Sequence, residues 1–168
     1  MPSFRFLNGR LSRVGAASTV RAVTSPSFVV SRSTLTARAA QAMIDAAEAH
    51  AARLGLAIVT VVVDESGVPR AMRRMDGAPL VALGVAQKKA LTAVGFGMPT
   101  GKAWHDFIKD DPILLHGAPS MPDFTLLGGG LPIKVDGALV GAIGVSGGHY
   151  SHDEECARAA LAALGIHA

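Results

Sequence analysis

The chain has 168 residues, of which 49% are hydrophobic, and this is enough for one domain with a substantial core. No apolar run approaches the ~20 residues of a membrane-spanning helix, and the single cysteine, Cys156, cannot form an internal disulfide. The formal net charge is +3, but residues 1–44 carry six arginines and no acid, whereas residues 45–168 hold ten basic and 13 acidic residues. The body of the chain is therefore acidic and poor in aromatic residues, which argues against nucleic-acid binding.

The N-terminal segment is rich in Arg, Ser, Ala and Val, and its arginines interrupt the apolar residues too often for a secretory signal. The composition fits an organelle transit peptide, while a disordered bacterial extension or an upstream start codon are the alternatives. We predict that residues 1–33 are a disordered basic extension or targeting segment and that residues 34–168 form the domain. The expected location is the cytoplasm, or the mitochondrion if the source is eukaryotic.

The domain is predicted to begin with a helix and a hairpin. From Thr36 to Leu54 a polar stripe and an apolar stripe recur at helical spacing, and Gly55 ends the helix. The apolar, β-branched run Leu56–Val63 predicts a buried strand. A turn then leads into a second strand, Val68–Met75, so that the two strands pair antiparallel.

Two further helices are predicted before a loop. Pro79–Phe96 has helical periodicity, with Lys88 and Lys89 on its polar side, and a short helix covers Gly101–Lys109. Asp110–Phe124 is interrupted by prolines and glycines and shows no clear period, which predicts an ordered surface loop.

The C-terminal part is predicted to be a glycine-rich hairpin followed by a helix. Asp136-Gly137 between apolar runs is typical of a two-residue hairpin turn. Small residues at Gly141 and Gly144 indicate that another backbone packs against the second strand. Ser151–Leu164 is predicted to be helical, with Ser151 and Glu154 at the spacing of a capping box. Hairpins combined with helices indicate the α+β class, with an antiparallel sheet.

The glycine loops on either side of this hairpin predict a binding site. Backbone N–H groups of such loops, close to a helix N-terminus, favour a small anionic ligand. The residues concerned are Gly128, Gly129 and Gly130 in the first loop and Ser146, Gly147 and Gly148 in the second.

Three charged residues are candidates for holding that ligand. Arg74 could bind a carboxylate or propionate bidentately while Asp76 orients the guanidinium group. Alternatively, the two residues pair with each other and join the hairpin to the next helix. Lys89 could add a positive charge, although a solvated surface lysine is the usual case.

His149 follows the second glycine loop and precedes a helix, where one imidazole ring could contact the ligand or serve as a general acid/base. His105, which follows Trp104, is a second histidine that could line the same cavity. A zinc site at His149 and His152 is not expected, because this spacing across a helix boundary does not bring both rings to one face and zinc needs three or four protein ligands.

Five motifs occur in an order that resembles the GlcG/HbpS-like family, which also includes the C-terminal domain of PduO. The motifs are Val63–Gly67, Arg74–Ala78, Ala86–Ala93, Gly128–Ile133 and Gly141–Gly148. The resemblance implies a profilin-like fold with a central five-stranded antiparallel sheet flanked by helices. It also implies assembly into dimers or octamers and binding of haem or a related anionic ligand. His149 and His105 are then the candidates for an axial ligand of haem.

We therefore predict a homo-oligomeric protein that binds haem or another small anionic molecule, with no membrane or nucleic-acid partner. The alternative is a lyase or isomerase that acts on a small oxo- or hydroxy-acid, with His149 as the general acid/base. A third reading is an assembly protein whose glycine loops are buried between subunits.

Overall fold

A computed structural model of the chain describes residues 6–7, 10–11, 28 and 30–167. The chain divides into two compact units, Met1–Ser31 and Arg32–Ala168. In the first unit, strands β1 (Phe6–Leu7) and β2 (Arg10–Leu11) pair antiparallel. Most of residues 1–33, for which an extension is predicted, lies outside the described residues.

The second unit is built on an antiparallel sheet of four strands in the order β4-β3-β6-β5. The strands are β3 (Val59–Asp64), β4 (Pro69–Arg74), β5 (Gly130–Val135) and β6 (Ala138–Ser146). The α+β class is confirmed, whereas the prediction of five strands is wrong for the described residues. Next to β5, Thr100 donates one backbone hydrogen bond to Gly130 O, and a helix begins at Lys102, so no further strand forms there.

The described residues of this unit form five α-helices. They are α1 (Ala37–Arg53), α2 (Ala82–Phe96), α3 (Lys102–Ile108), α4 (Pro112–Gly117) and α5 (Tyr150–Ala162). Helix α4 and the 3₁₀ turn Ala118–Ser120 correct the prediction of a loop over Asp110–Phe124. Asp111 caps α4 by accepting hydrogen bonds from two backbone N–H groups, and Pro112 occupies the first turn, where no N–H is needed.

Alternate residues of each strand face opposite sides of the sheet, and each side has its own core. Val62, Ile143 and Val145 face α1 and α5. Val61 and Ala142 face the alanine-rich side of α2. A Cβ atom at Gly144 would lie 2.1 Å from the Ala86 carbonyl oxygen, which confirms the predicted close approach of another backbone to β6.

Candidate ligand-binding cleft

A cleft of about 430 Å³ lies between the start of α3, the loop before β5 and the first turn of α5. This volume falls in the range of small-molecule sites, about 300–1,000 Å³. Its lining consists of Gly101, Lys102, His105, Leu126, Leu127, Gly128 and Tyr150. The walls combine apolar side chains with a few polar groups, as ligand-binding sites generally do.

Two glycines allow the walls of the cleft to meet. A Cβ atom at Gly101 would lie 2.8 Å from the Gly128 Cα atom, and one at Gly128 would lie 3.1 Å from Cδ2 of Tyr150. Gly101 also has φ +83°, a conformation that favours glycine. The α3 N-terminus, the loop and Tyr150 are therefore in direct contact because side chains are missing at both positions.

His105 is the imidazole of the cleft. Its side chain is 61% exposed, and its Nδ1 atom lies 3.8 Å from a carboxylate oxygen of Asp106. The same carboxylate accepts a hydrogen bond from the Lys102 ammonium group. Within the described part of the chain the Nε2 atom of His105 has no hydrogen-bond partner, and this leaves one ring nitrogen available to a ligand.

Next to His105 lies an aromatic cluster. Trp104 is buried, and its ring packs edge-to-face on Phe96, Phe107 and Phe124 at centroid distances of 4.5, 5.5 and 5.2 Å. These rings anchor α3 to α2 and to the segment before β5.

Lys89 does not lie on the surface. It is 1% exposed, and its ammonium group donates hydrogen bonds to Asp153 Oδ2 at 2.7 Å and to Val145 O at 2.8 Å. Asp153 is also buried, and its other carboxylate oxygen accepts the Gly148 N–H at 3.0 Å. Burial lowers the pKa of Lys89, and the adjacent carboxylate opposes that shift.

The sequence contained a signal for this burial. Lys89 falls three residues after Ala86 and four before Ala93, on the same helix face as these two buried alanines. Asp153 lies in the first turn of α5, where an acidic residue also complements the helix dipole. The sequence could not pair the two residues, because 63 residues of chain separate them.

The glycine loops make internal hydrogen bonds at two of the predicted donor positions. The Gly130 N–H donates to Thr100 Oγ1 at 2.8 Å, and the Gly148 N–H is taken by Asp153. Gly129 has φ +109°, and a Cβ atom there would lie 2.8 Å from that of Asp153. Gly147 packs on the Ala57 carbonyl, and Ser146 is buried at the end of β6. Of the predicted glycine-loop residues, Gly128 is the one that lines the cleft.

Arg74 lies on the edge strand β4, and β3 and β6 separate it from β5, where the first glycine loop ends. Its guanidinium group donates to the Ala78 carbonyl from Nε at 3.1 Å and from Nη2 at 2.6 Å. Among the described residues there is no ion pair between Arg74 and Asp76 within 4.0 Å. Arg74 joins the hairpin to the segment before α2, as the alternative reading expected, but through a carbonyl group rather than through Asp76.

His149 caps α5 and does not line the cleft. Its Nδ1 atom accepts a hydrogen bond from the Ser151 N–H at 3.4 Å and lies 2.9 Å from the Ser151 hydroxyl. Its ring packs on Tyr150 at a centroid distance of 4.3 Å. The capping box predicted at Ser151 is therefore wrong, because the helix already begins at Tyr150, and Glu154 instead pairs with Arg158.

In the part of the chain that the structure describes, no group of three or more His, Cys, Asp or Glu residues could hold a metal ion. None of the described helices combines the length and the apolar character needed to cross a membrane.

The model of a protein family described as "Haem degrading protein HbpS-like" matches residues 35–162. The chain belongs to the HbpS-like family. Protein GlcG of Escherichia coli K12 is 33% identical over 112 residues, which cover 67% of this chain and 81% of GlcG. This relative is bacterial and gives no support to the mitochondrial alternative, while the cytoplasmic location stays a prediction.

Solved structures of HbpS-like proteins share the fold. A double mutant of Streptomyces reticuli HbpS has a TM-score of 0.75 and 32% identity, and the match covers 90% of this chain and 99% of that chain. The crystal structure of a PduOC–haem complex has a TM-score of 0.68 and 29% identity, with 80% of this chain and 99% of that chain covered.

Proposed function

We propose that this protein binds haem in the cleft between α3 and α5, with His105 as the ligand to the iron. The observation that carries the proposal is that His105 presents an unpartnered Nε2 atom at a cleft whose walls include Leu126, Leu127 and Tyr150. Imidazole is a common axial ligand of haem, and apolar side chains match the faces of a porphyrin. The haem complex of the PduOC relative supports this choice of ligand.

The side chain that we propose to bind the anionic part of the ligand differs from the cationic residues predicted from the sequence. Arg74 and Lys89 are occupied by a carbonyl group and by a buried carboxylate, whereas Lys102 lines the cleft and is 85% exposed. We propose that the Lys102 ammonium group exchanges Asp106 for a propionate of haem. When bound, haem supplies an iron centre with redox chemistry that the side chains of the cleft lack.

The experiment is a titration of the ferric form of haem into the full chain, followed by the Soret band. We expect His105→Ala to shift the Soret maximum and weaken binding, and Lys102→Ala to weaken binding without moving the band. His116→Ala is the matched control, because His116 is an exposed histidine on the neighbouring helix α4 and does not line the cleft. A wild-type spectrum and affinity in His105→Ala would refute this assignment.

We also propose that the protein is a homo-oligomer, a dimer or an octamer, with a profilin-like fold. The exposed apolar side chains of Leu80 and Val81, directly before α2, support an association surface. Light scattering coupled to size-exclusion chromatography measures the mass directly, and a monomer at micromolar concentration would contradict the proposal. The lyase or isomerase alternative requires His149 as the general acid/base. Because His149 caps α5 and does not line the cleft, no observation supports this alternative.

A further inference from the structure

We propose that the buried Lys89–Asp153 pair is the positioning element of the cleft, and that it fixes Gly128 and Tyr150 without touching the ligand. This inference rests on the proposed function, because it concerns the walls of the same site. Neither side chain lines the cleft, and both are about 1% exposed. Any effect on a ligand therefore passes through the residues that they hold.

The first connection runs from the pair to Tyr150. Asp153 lies in the first turn of α5, and its carboxylate bridges the Lys89 ammonium group of α2 and the Gly148 N–H. Tyr150 is the first residue of α5 and lies between these two anchored positions. The pair thus ties the start of α5, and with it the tyrosine wall, to α2.

The second connection runs to the glycine loop. At Gly129 a Cβ atom would lie 2.8 Å from that of Asp153 and 3.1 Å from the Lys89 Nζ atom, so the loop lies directly against the pair. The Gly129 carbonyl accepts the Val145 N–H at 2.9 Å, while the Val145 carbonyl accepts from Lys89. Gly128, the preceding residue of the loop, is in the cleft wall against Tyr150.

A buried ion pair is an uncertain source of stability, because the cost of removing two charges from water offsets their attraction. Apolar residues of similar size often replace such a pair at little cost in stability. The directional hydrogen bonds from Lys89 and Gly148 to one carboxylate cannot be replaced in that way. An apolar replacement of the pair should therefore preserve the stability of the protein but alter the geometry of the cleft.

Two variants, with Lys89→Met alone as the reference for stability, make this separation measurable in the full chain. Asp153→Asn keeps the shape and removes the charge, and the double variant Lys89→Met with Asp153→Leu replaces the pair by apolar side chains. Tyr150 is the single tyrosine of the chain, so the ring signals of tyrosine-labelled protein in NMR spectra report the cleft wall without any ligand. Ferric haem is the binding probe, and urea unfolding measures stability.

For Asp153→Asn we expect altered Tyr150 ring signals and about tenfold weaker haem binding, similar to the loss when an outer contact of a site is removed. In the double variant, stability should recover relative to Lys89→Met alone, while the ring signals and the haem affinity should stay altered. Asp45→Asn, at an exposed acid that pairs with Arg73, is the control. It should leave the Tyr150 ring signals and the haem affinity at their wild-type values.

If the Tyr150 ring signals of Asp153→Asn are those of the wild type, the inference is overturned. It is also overturned if haem affinity changes in proportion to the free energy of unfolding across all variants. If the wild-type protein does not bind haem, the proposed function fails, and the ring signals of the same variants still decide whether the pair positions the cleft wall.

Discussion

The ammonium group of Lys89 lies 2.7 Å from the carboxylate of Asp153, in a pair that is almost completely buried. The preceding residue, Lys88, points about 100° away around the same helix and is exposed. Two consecutive lysines therefore have opposite environments, and this contrast provides a matched comparison.

Lys89→Met should destabilise the protein by about 3–5 kcal/mol, because it leaves the Asp153 carboxylate buried without its partner. Lys88→Met should change the free energy of unfolding by less than about 0.5 kcal/mol, as exposed substitutions usually do. Urea unfolding followed by circular dichroism measures both values. Equal effects of the two substitutions would contradict the buried pair.

Gly144→Ala should be strongly destabilising. The new Cβ atom would lie 2.1 Å from Ala86 O and 2.6 Å from Ala90 N, both of which are backbone atoms of α2. The helix must move away from the sheet, at a cost of about 3 kcal/mol or more. Gly84→Ala on the same helix is the control, since a Cβ atom there meets nothing within 4 Å. It should stabilise the protein by about 0.4–1 kcal/mol, and a thermal unfolding midpoint that falls in Gly84→Ala would be inconsistent with the structure.

His149→Ala should lower the stability by about 1 kcal/mol, because the first turn of α5 loses its side-chain cap. His149→Asp should restore most of the loss, since aspartate is a favoured capping residue. Neither substitution should shift the Soret band of bound haem. A shift of the Soret band with His149→Ala and none with His105→Ala would instead assign the ligand of the haem iron to His149.

The thiol of Cys156 should react slowly with iodoacetamide at pH 8 in the folded protein and rapidly in urea. Burial is the main cause that raises its pKa from 9.0 to about 11. Between these values the unfolded chain loses the thiol proton while the folded chain keeps it, so stability should fall as the pH rises from 9 to 11. Cys156→Ala should show a shallower fall over this range, and an identical slope in the two proteins would contradict the shift.

Much of the local structure could be predicted from periodicity and turn residues. The apolar stripe at helical spacing predicts α1, and Asp136-Gly137 predicts the turn between β5 and β6. The sequence does not predict helix α4, because Pro112 and Gly117 are also typical of loops, although proline suits the first turn of a helix.

The site was harder to predict, because its residues meet only through tertiary contacts. His105 was a candidate from the sequence, whereas nothing local indicated that Gly101 packs on Gly128 or that Tyr150 closes the cleft. Charge makes Lys89 and Arg74 candidates in the sequence, but the fold satisfies both charges internally. Charge and spacing alone do not show which side chains are already engaged.

Trp104 is the single tryptophan of the chain, and it directly precedes His105 in α3. Its emission therefore originates from one known place, held rigidly by the surrounding phenylalanine rings. A porphyrin at His105 would absorb that emission, so fluorescence quenching would report occupancy of the site without any attached dye.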